Sequence, residues 1–284
     1  MLNLVDNFSK FTIDTTNRFS PSIWGDCPVS ALQANPDLGV YLRYDNVRSP
    51  VLVTPTITTE ANYGDGLKAF GSSGGTLLPA KQENGGGYIL TETDDNEGIG
   101  FATIQLPFKI YPTKGKLWFE ARLKNSVVTD TENGFVVGLW EQQTMSATVP
   151  IAAAGTLADA NFVGFHRLEG DGDQINTVYK ANGVTQATVK EDAISTTANV
   201  HTVAGALAAD TFIKLGMVFN PLNARMEWYI NGVLLPDYYT VTTTAGNPFP
   251  NDVQLGICIF MLLASANDSI LTVDHVTCAQ LSAP

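Results

Sequence analysis

Residues Lys116–Lys124 read Lys-Leu-Trp-Phe-Glu-Ala-Arg-Leu-Lys, with Leu117, Phe119, Ala121 and Leu123 on one alternate set and Trp118, Glu120, Arg122 and Lys124 on the other. Successive side chains of a β-strand point to opposite faces, so this alternation predicts a strand with one face in a core and one face wet. Shorter β runs recur at Phe135–Trp140, Phe162–Arg167, Thr177–Lys180, Gln186–Lys190, Phe212–Phe219, Arg225–Ile230, Asp252–Leu263 and Ile270–Cys278. Turn formers separate them, among them Asn133-Gly134, Asp171-Gly172, Asn182-Gly183, Asn220-Pro221 and Asn231-Gly232. Asn-Gly and Asp-Gly supply the positive φ that tight hairpins need. Strands at this spacing predict an all-β antiparallel sandwich spanning residues 61–284. Leu117, Phe119, Leu215, Met226, Trp228 and Ile230 are its expected core residues. A register slip of one would put Tyr229 inside in place of Trp228.

Helix signals are weak. Ile151–Ala160 and Val203–Asp210 are rich in alanine but interrupted by Gly155 and Gly205, so each is expected to hold a turn or two of helix. Strand and helix do not alternate along the chain, which argues against a parallel α/β architecture. Residues 1–60 differ from the rest. Pro21, Pro28, Pro36, Pro50 and Pro55 break every pattern there, and an extended, irregular N-terminal arm is expected. The arm carries Phe8, Phe11, Phe19, Trp24, Tyr41 and Tyr44, too many rings for a solvated linker. It should pack on its own sandwich or on a neighbouring chain, with Phe8, Phe11, Phe19 and Trp24 as the candidate partner-binding residues.

Sixteen Lys and Arg against 28 Asp and Glu give 16 − 28 = −12. Such a surface repels phosphate and anionic lipid, so neither nucleic acid nor membrane is an expected partner. Met1–Lys10 has no basic stretch followed by an apolar core, so no secretory signal is read there. The longest apolar run, Leu255–Ala264, is about half of what a membrane span requires. Cys27, Cys258 and Cys278 show no metal-ligand spacing. They read as three reduced thiols, the alternative being a single Cys258–Cys278 bridge.

The search for chemistry finds little. Gly71-Ser72-Ser73-Gly74-Gly75 fits the hydrolase elbow literally, but Thr76-Leu77-Leu78-Pro79 offers no helix to follow the serine. Glu92-Thr93-Asp94-Asp95-Asn96-Glu97 could supply paired glycosidase carboxylates. Its intervening residues are polar, however, and the segment is expected to be a solvated turn. Glu169-Gly170-Asp171-Gly172-Asp173 has alternating carboxylates but lacks the remaining ligands of a known calcium loop. His166, His201 and His275 show no metal or catalytic spacing. No catalytic residue, cofactor or metal is expected.

Three segments together resemble a known family. Lys116–Lys124 resembles the "YFEARVK" strand of concanavalin A-like lectin/glucanase jelly rolls, and Phe135-Val136-Val137-Gly138-Leu139 resembles the "GFxxGL" strand that follows it. Arg225–Val233 is similar to the "xxFYVDG" hairpin of laminin-G-like domains. With the acidic stretch Thr91–Gly98 preceding the first of these, the order of pieces looks most like tailed-bacteriophage virion proteins of this fold. The resemblance covers Tyr88–Leu281. It implies a structural virion protein synthesised in the host cytoplasm, lying on the capsid surface as a decoration or cement protein. Its implied partners are the major capsid protein and further copies of itself, as a dimer or trimer. The alternative it leaves open is a carbohydrate-binding or receptor-binding tail module, with Trp118, Tyr229, Tyr238 and Tyr239 stacking on surface glycans. Family-16 glycosidases share the first strand but place their E-x-D-x-x-E after it. Here Glu92, Asp94 and Glu97 come before it, so no enzyme is expected.

Overall fold

Alternating apolar residues along the strands build two sheets that pack face to face. This computed structural model describes residues 20–45, 60–64, 66–71, 75–79, 87–128, 133–141, 150–152, 156–168, 171, 174–195, 203–204, 207–244, 247–263 and 269–283. The chain begins with α1 (Pro21–Trp24), α2 (Val29–Ala34) and a 3-10 turn at Pro36–Leu38. Then come β1 (Gly39–Tyr44), β2 (Glu60–Gly64), β3 (Leu67–Gly71), β4 (Thr76–Pro79), β5 (Tyr88–Glu92), β6 (Gly98–Thr103) and β7 (Phe108–Lys109). The middle of the chain forms β8 (Leu117–Asn125), β9 (Asn133–Trp140), β10 (Ile151–Ala152), β11 (Thr156–Leu157), β12 (Phe162–Arg167), β13 (Ile175–Lys180) and β14 (Ala187–Ser195). The last elements are β15 (Val203–Ala204), β16 (Ile213–Asn220), β17 (Arg225–Ile230), β18 (Val233–Thr240), β19 (Gln254–Leu263) and β20 (Ser269–Leu281).

One sheet has eight strands in the order β18-β17-β16-β8-β20-β5-β4, with β1 also paired to β20. The other has ten in the order β15-β14-β13-β12-β9-β19-β6-β3-β2, with β7 also paired to β19. Pairing is antiparallel throughout except between β14 and β15. The six core residues expected from the sequence are all fully buried between the sheets, and Trp228 rather than Tyr229 is the inward residue of β17. Facing them from the ten-stranded sheet are Phe135, Val137, Leu139, Phe165, Ile257 and Ile259.

Neither outer face is left bare. On the ten-stranded sheet Val136, Trp140, Phe162, Val178, Cys258 and Phe260 form a second buried cluster, which the β10–β11 hairpin joins through Ile151 and Leu157. Coverage on both faces explains why β19 reads as a continuous apolar run rather than an alternation. On the eight-stranded sheet Trp118, Val218, Tyr229 and Ala279 lie under Ile23, Trp24, Cys27 and Leu32 of α1, α2 and the turn between them.

Two expectations change. Within the Ala-rich stretches, Ile151–Ala152, Thr156–Leu157 and Val203–Ala204 are the short strands β10, β11 and β15 rather than helical turns. The described part of the N-terminal arm packs on its own sandwich, where β1 runs antiparallel to β20 over Gly39–Tyr44. Glu92 is not solvated but 1% exposed, since it continues the inward set Tyr88, Leu90 of β5. The neighbouring Asp94 and Asp95 are exposed, as a turn requires.

Candidate functional site

Among the described residues, a buried group of ionisable side chains sits on the outer face of the eight-stranded sheet. Glu120 of β8 pairs in register with Gly216 of β16 on one side and Thr277 of β20 on the other. A register shift in β20 between Val273 and His275 inserts Asp274. Such a bulge re-aims the side chains around it. His275 Nδ1 then lies 3.0 Å from Asp274 Oδ2, and Arg122 holds the same oxygen at 3.1 Å. His275 Nε2 lies 3.8 Å from Glu120 Oε1. Glu120, His275 and Asp274 are all at most 1% exposed.

What shuts them off is the chain entering α1. The Ser20 backbone N–H donates to Glu120 Oε2 at 3.0 Å, and Ser22 Oγ donates to the Gly232 carbonyl at 2.5 Å. Ile23 presses on Gly216, where a Cβ would collide with its side chain. Further on, Trp118 Nε1 donates to Asp26 Oδ1 at 2.8 Å, and Lys116 binds Asp26 Oδ2. Residues 20–34 are therefore a strap across the sheet, running from the Glu120 level down to the Lys116 level. Apolar burial dominates its contacts, and Glu120 Oε1 and Ser20 Oγ beneath it are buried without a hydrogen-bond partner, so the cluster is enclosed rather than open as a catalytic cleft is.

The residues singled out in the sequence fall as follows. Trp24 is 6% exposed and packs edge-on to Tyr41, its ring centroid 6.5 Å away, within its own domain. Phe8, Phe11 and Phe19 lie outside the described residues, as do Ser73 and His201. Trp118 and Tyr229 lie under the strap and present no face to a sugar. Tyr239 packs against Phe249 and Tyr179, whose hydroxyl burial pushes up to about 12. Tyr238 alone of the four proposed sugar-stacking rings stands 46% exposed, with the Arg225 guanidinium 3.9 Å over it.

Glu92 Oε1 accepts from the Thr93 and Asp94 N–H groups at 2.9 and 3.3 Å. Burial, against those two hydrogen bonds, raises its pKa above the ordinary glutamate value. Of the Glu169–Asp173 stretch only Asp171 lies among the described residues. Its Oδ2 accepts from Leu168 N–H at 2.6 Å and from Asn176 Nδ2 at 3.0 Å, and it sits 3.4 Å from His166 Nδ1. All three cysteines are free; burial pushes Cys27 up to about 12 and holds Cys258 and Cys278 well above the ordinary thiol range. Reactive thiols show the opposite shift, so these three have the environment of structural, buried cysteines. Among the described residues no group of three or more His, Cys, Asp or Glu could hold a metal ion. A cavity of about 280 Å³ between β1, β7 and the end of β20 is lined by Lys109, Lys114, Gln254 and Gln280. Gln280 Nε2 donates to the Lys109 carbonyl there, and Lys109 Nζ pairs with Asp252, which lies outside the lining, at 2.7 Å.

Of the large hydrophobics left exposed among the described residues, alternation and turn signals single out Tyr238 alone. Among the described residues seven large hydrophobics are more than a third exposed, and four of them, Leu222, Val233, Leu234 and Tyr238, lie on the edge of the eight-stranded sheet along β18 and the β16–β17 turn. They are spread along the length of β18, and apolar side chains on an edge strand whose backbone has no further partner are a contact surface for another chain.

No family model matches the sequence, and no curated protein matches it. Solved structures do. A protein of unknown function from Shewanella oneidensis MR-1 is similar at 12% identity and a TM-score of 0.54, over 90% of this chain and 95% of that one. Peanut lectin with a bound nonapeptide is similar at 12% identity and a TM-score of 0.51, over 86% and 98%. The Crh5 transglycosylase in complex with NAG is similar at 15% identity and a TM-score of 0.50, over 86% and 85%. At these identities the likeness concerns architecture alone. The chain carries the concanavalin A-like, legume-lectin type of β-sandwich.

Proposed function

We propose that this chain is a structural protein of a tailed-bacteriophage virion, bound to the capsid surface as a decoration or cement protein and catalysing no reaction. One observation carries the reading. The surface it leaves apolar and exposed is a sheet edge suited to another protein, Leu222, Val233, Leu234 and Tyr238, while the ionisable cluster of the outer face is closed off by the strap. The order of the segments Lys116–Lys124, Phe135–Leu139 and Arg225–Val233, with the acidic stretch Thr91–Gly98 ahead of the Lys116–Lys124 strand, resembles tailed-bacteriophage virion proteins of this fold and supports the same reading, the implied partner being the major capsid protein. An acidic protein on the outside of a shell has no need to touch packaged nucleic acid.

A second reading is favoured by one specific feature. Tyr238 with Arg225 over its ring is an exposed aromatic of the kind that stacks on sugars, on a fold shared with peanut lectin. The two separate in one pair of experiments. Purified protein should co-sediment with empty capsid shells to a fixed stoichiometry and give no signal on a glycan array. Micromolar glycan hits that disappear in Tyr238→Ala, with no shell binding, would establish the carbohydrate module instead.

A further inference from the structure

The cavity between β1, β7 and the end of β20 is held open by a hydrogen-bonded frame. Gln280, 6% exposed, grips the β7 backbone as a neighbouring strand would. Its Oε1 accepts from the Lys109 N–H at 2.9 Å, and its Nε2 donates to the Lys109 carbonyl at 2.7 Å. The same Nε2 donates to the Gly115 carbonyl at 3.2 Å, which ties together the two ends of the loop that carries Lys114. Inside that loop the Lys114 N–H donates to the Tyr111 carbonyl at 2.8 Å. Lys109 pairs in register with Gln254 of β19. On the β20 side Leu281 N–H donates to the Lys116 carbonyl at 3.0 Å, and Ser282 N–H to the Leu38 carbonyl at 2.8 Å. Backbones approach so closely here that a Cβ at Gly115 would stand 2.0 Å from the Leu281 carbonyl oxygen. A site framed in this way needs little reordering to receive a ligand.

We propose that this cavity of about 280 Å³ receives the carboxylate of an acidic side chain on a partner protein, with Lys114 and Lys109 as its cations and Gln254 as an amide donor. The lining holds those two cations and no acid, in a chain whose net charge is −12. Lys114 has no ion pair among the described residues, and the Gln254 side chain has no hydrogen bond among them. Asp252 meets the Lys109 ammonium from outside the lining, and an ammonium has further N–H donors to give. Val40, Pro107 and Leu281 supply an apolar wall for the hydrocarbon stem of a glutamate. No aromatic residue lines the space, so it offers a sugar ring nothing to stack on, and no arginine is there to fork onto a phosphate. The acidic surface elsewhere repels a partner's carboxylate, so the cavity fixes where such a group seats. It contains no residue of β18 and is therefore separate from the exposed edge, and it stands whether or not the capsid reading does.

Titration of the isotope-labelled full chain with N-acetylglutamate amide, followed by NMR, tests the site. The expected result is saturable shifts of the Lys109, Lys114, Gln254 and Ser282 amides, with a Kd on the order of 1 mM for so small a probe. N-acetylglutamine amide, with the same shape and no charge, should bind roughly tenfold more weakly or not at all. Raising NaCl from about 20 to about 200 mM should weaken the glutamate probe several-fold. Lys114→Gln should weaken it roughly twofold to fivefold, and Lys109→Gln/Lys114→Gln should abolish saturation. Both lysines are part-exposed, and melting of each variant confirms that the sandwich is intact. The comparison of the two probes on the wild type needs no variant at all. Absence of shifts at about ten times the expected Kd overturns the proposal. So do equal binding of the two probes, shifts confined to residues outside the lining, and unchanged affinity in Lys114→Gln. Saturation by glucuronate or inorganic phosphate, without saturation by the glutamate probe, overturns it too, because the cavity would then be a sugar-acid or phosphate site.

Discussion

Replacing Trp24 with alanine isolates the strap's contribution to the fold. The ring is 6% exposed and sits over the cluster of Trp118, Val218, Tyr229 and Ala279. A buried aromatic covers about 150–250 Å², which at about 25 cal/mol/Å² is about 4–6 kcal/mol of burial. Measured Trp→Ala losses in cores are about 3–5 kcal/mol. If the strap and the sandwich melt as one unit, a protein of this size should lose roughly 2–4 °C per kcal/mol, so Tm should fall on the order of 10 °C. Fluorescence gives an independent reading. The four tryptophans, Trp24, Trp118, Trp140 and Trp228, are all buried, and only Trp118 depends on the strap for its cover. Trp24→Ala should therefore red-shift the emission and increase acrylamide quenching, although one indole has been removed. Unchanged melting with unchanged quenching would refute the packing of residues 20–34 on the eight-stranded sheet.

Other outcomes follow from the same contacts. Glu92 is buried and its pKa is raised, so the folded state holds a proton more tightly than the unfolded state. Its stabilising contribution is full below the unfolded glutamate pKa and is lost as pH rises through the folded value, so Glu92→Gln should raise Tm at pH 8 and change it little at pH 4. Gly138 and Gly164 face each other across β9 and β12, and a Cβ at Gly138 would stand 2.7 Å from the Gly164 Cα. Gly138→Ala should cost about 1–3 kcal/mol or more, read by denaturant melting. Deleting residues 1–19 should leave a folded, soluble protein. Deleting residues 1–55 should not, because it strips β1 from β20 and uncovers Trp118 and Tyr229. A soluble, cooperatively melting product of the longer deletion would contradict that boundary.

Strand patterning made the central layer legible. Leu117, Phe119, Leu215, Met226, Trp228 and Ile230 alternate with polar or amphipathic residues, and period two places them inward unambiguously once register is set. The outer layers were not legible for the same reason. Trp118 and Tyr229 lie on the set opposite the core, so alternation assigns them to solvent, and only the folded strap reveals that they are covered. That strap leaves no periodic trace, being built from two helices of four and six residues and a 3-10 turn punctuated by Pro21, Pro28 and Pro36. The polar residues that follow Glu92 mask its place in the sequence as the last inward residue of β5. The ionisable cluster escaped notice because a bulge brings Asp274 beside His275 and because Glu120 is far from both in sequence; no spacing rule joins them. A hint did exist, since a glutamate at the centre of the most regular strand is an unusual place for an unpaired charge.

The measurement that bears most directly on a structural virion role is the copy number of this chain in purified virions, by quantitative mass spectrometry against the major capsid protein. A decoration protein bound over the shell should be present in hundreds of copies, at a fixed ratio to the capsid subunit. A handful of copies, or none, would contradict the account and move the exposed edge at Val233, Leu234 and Tyr238 to a tail or receptor-binding role.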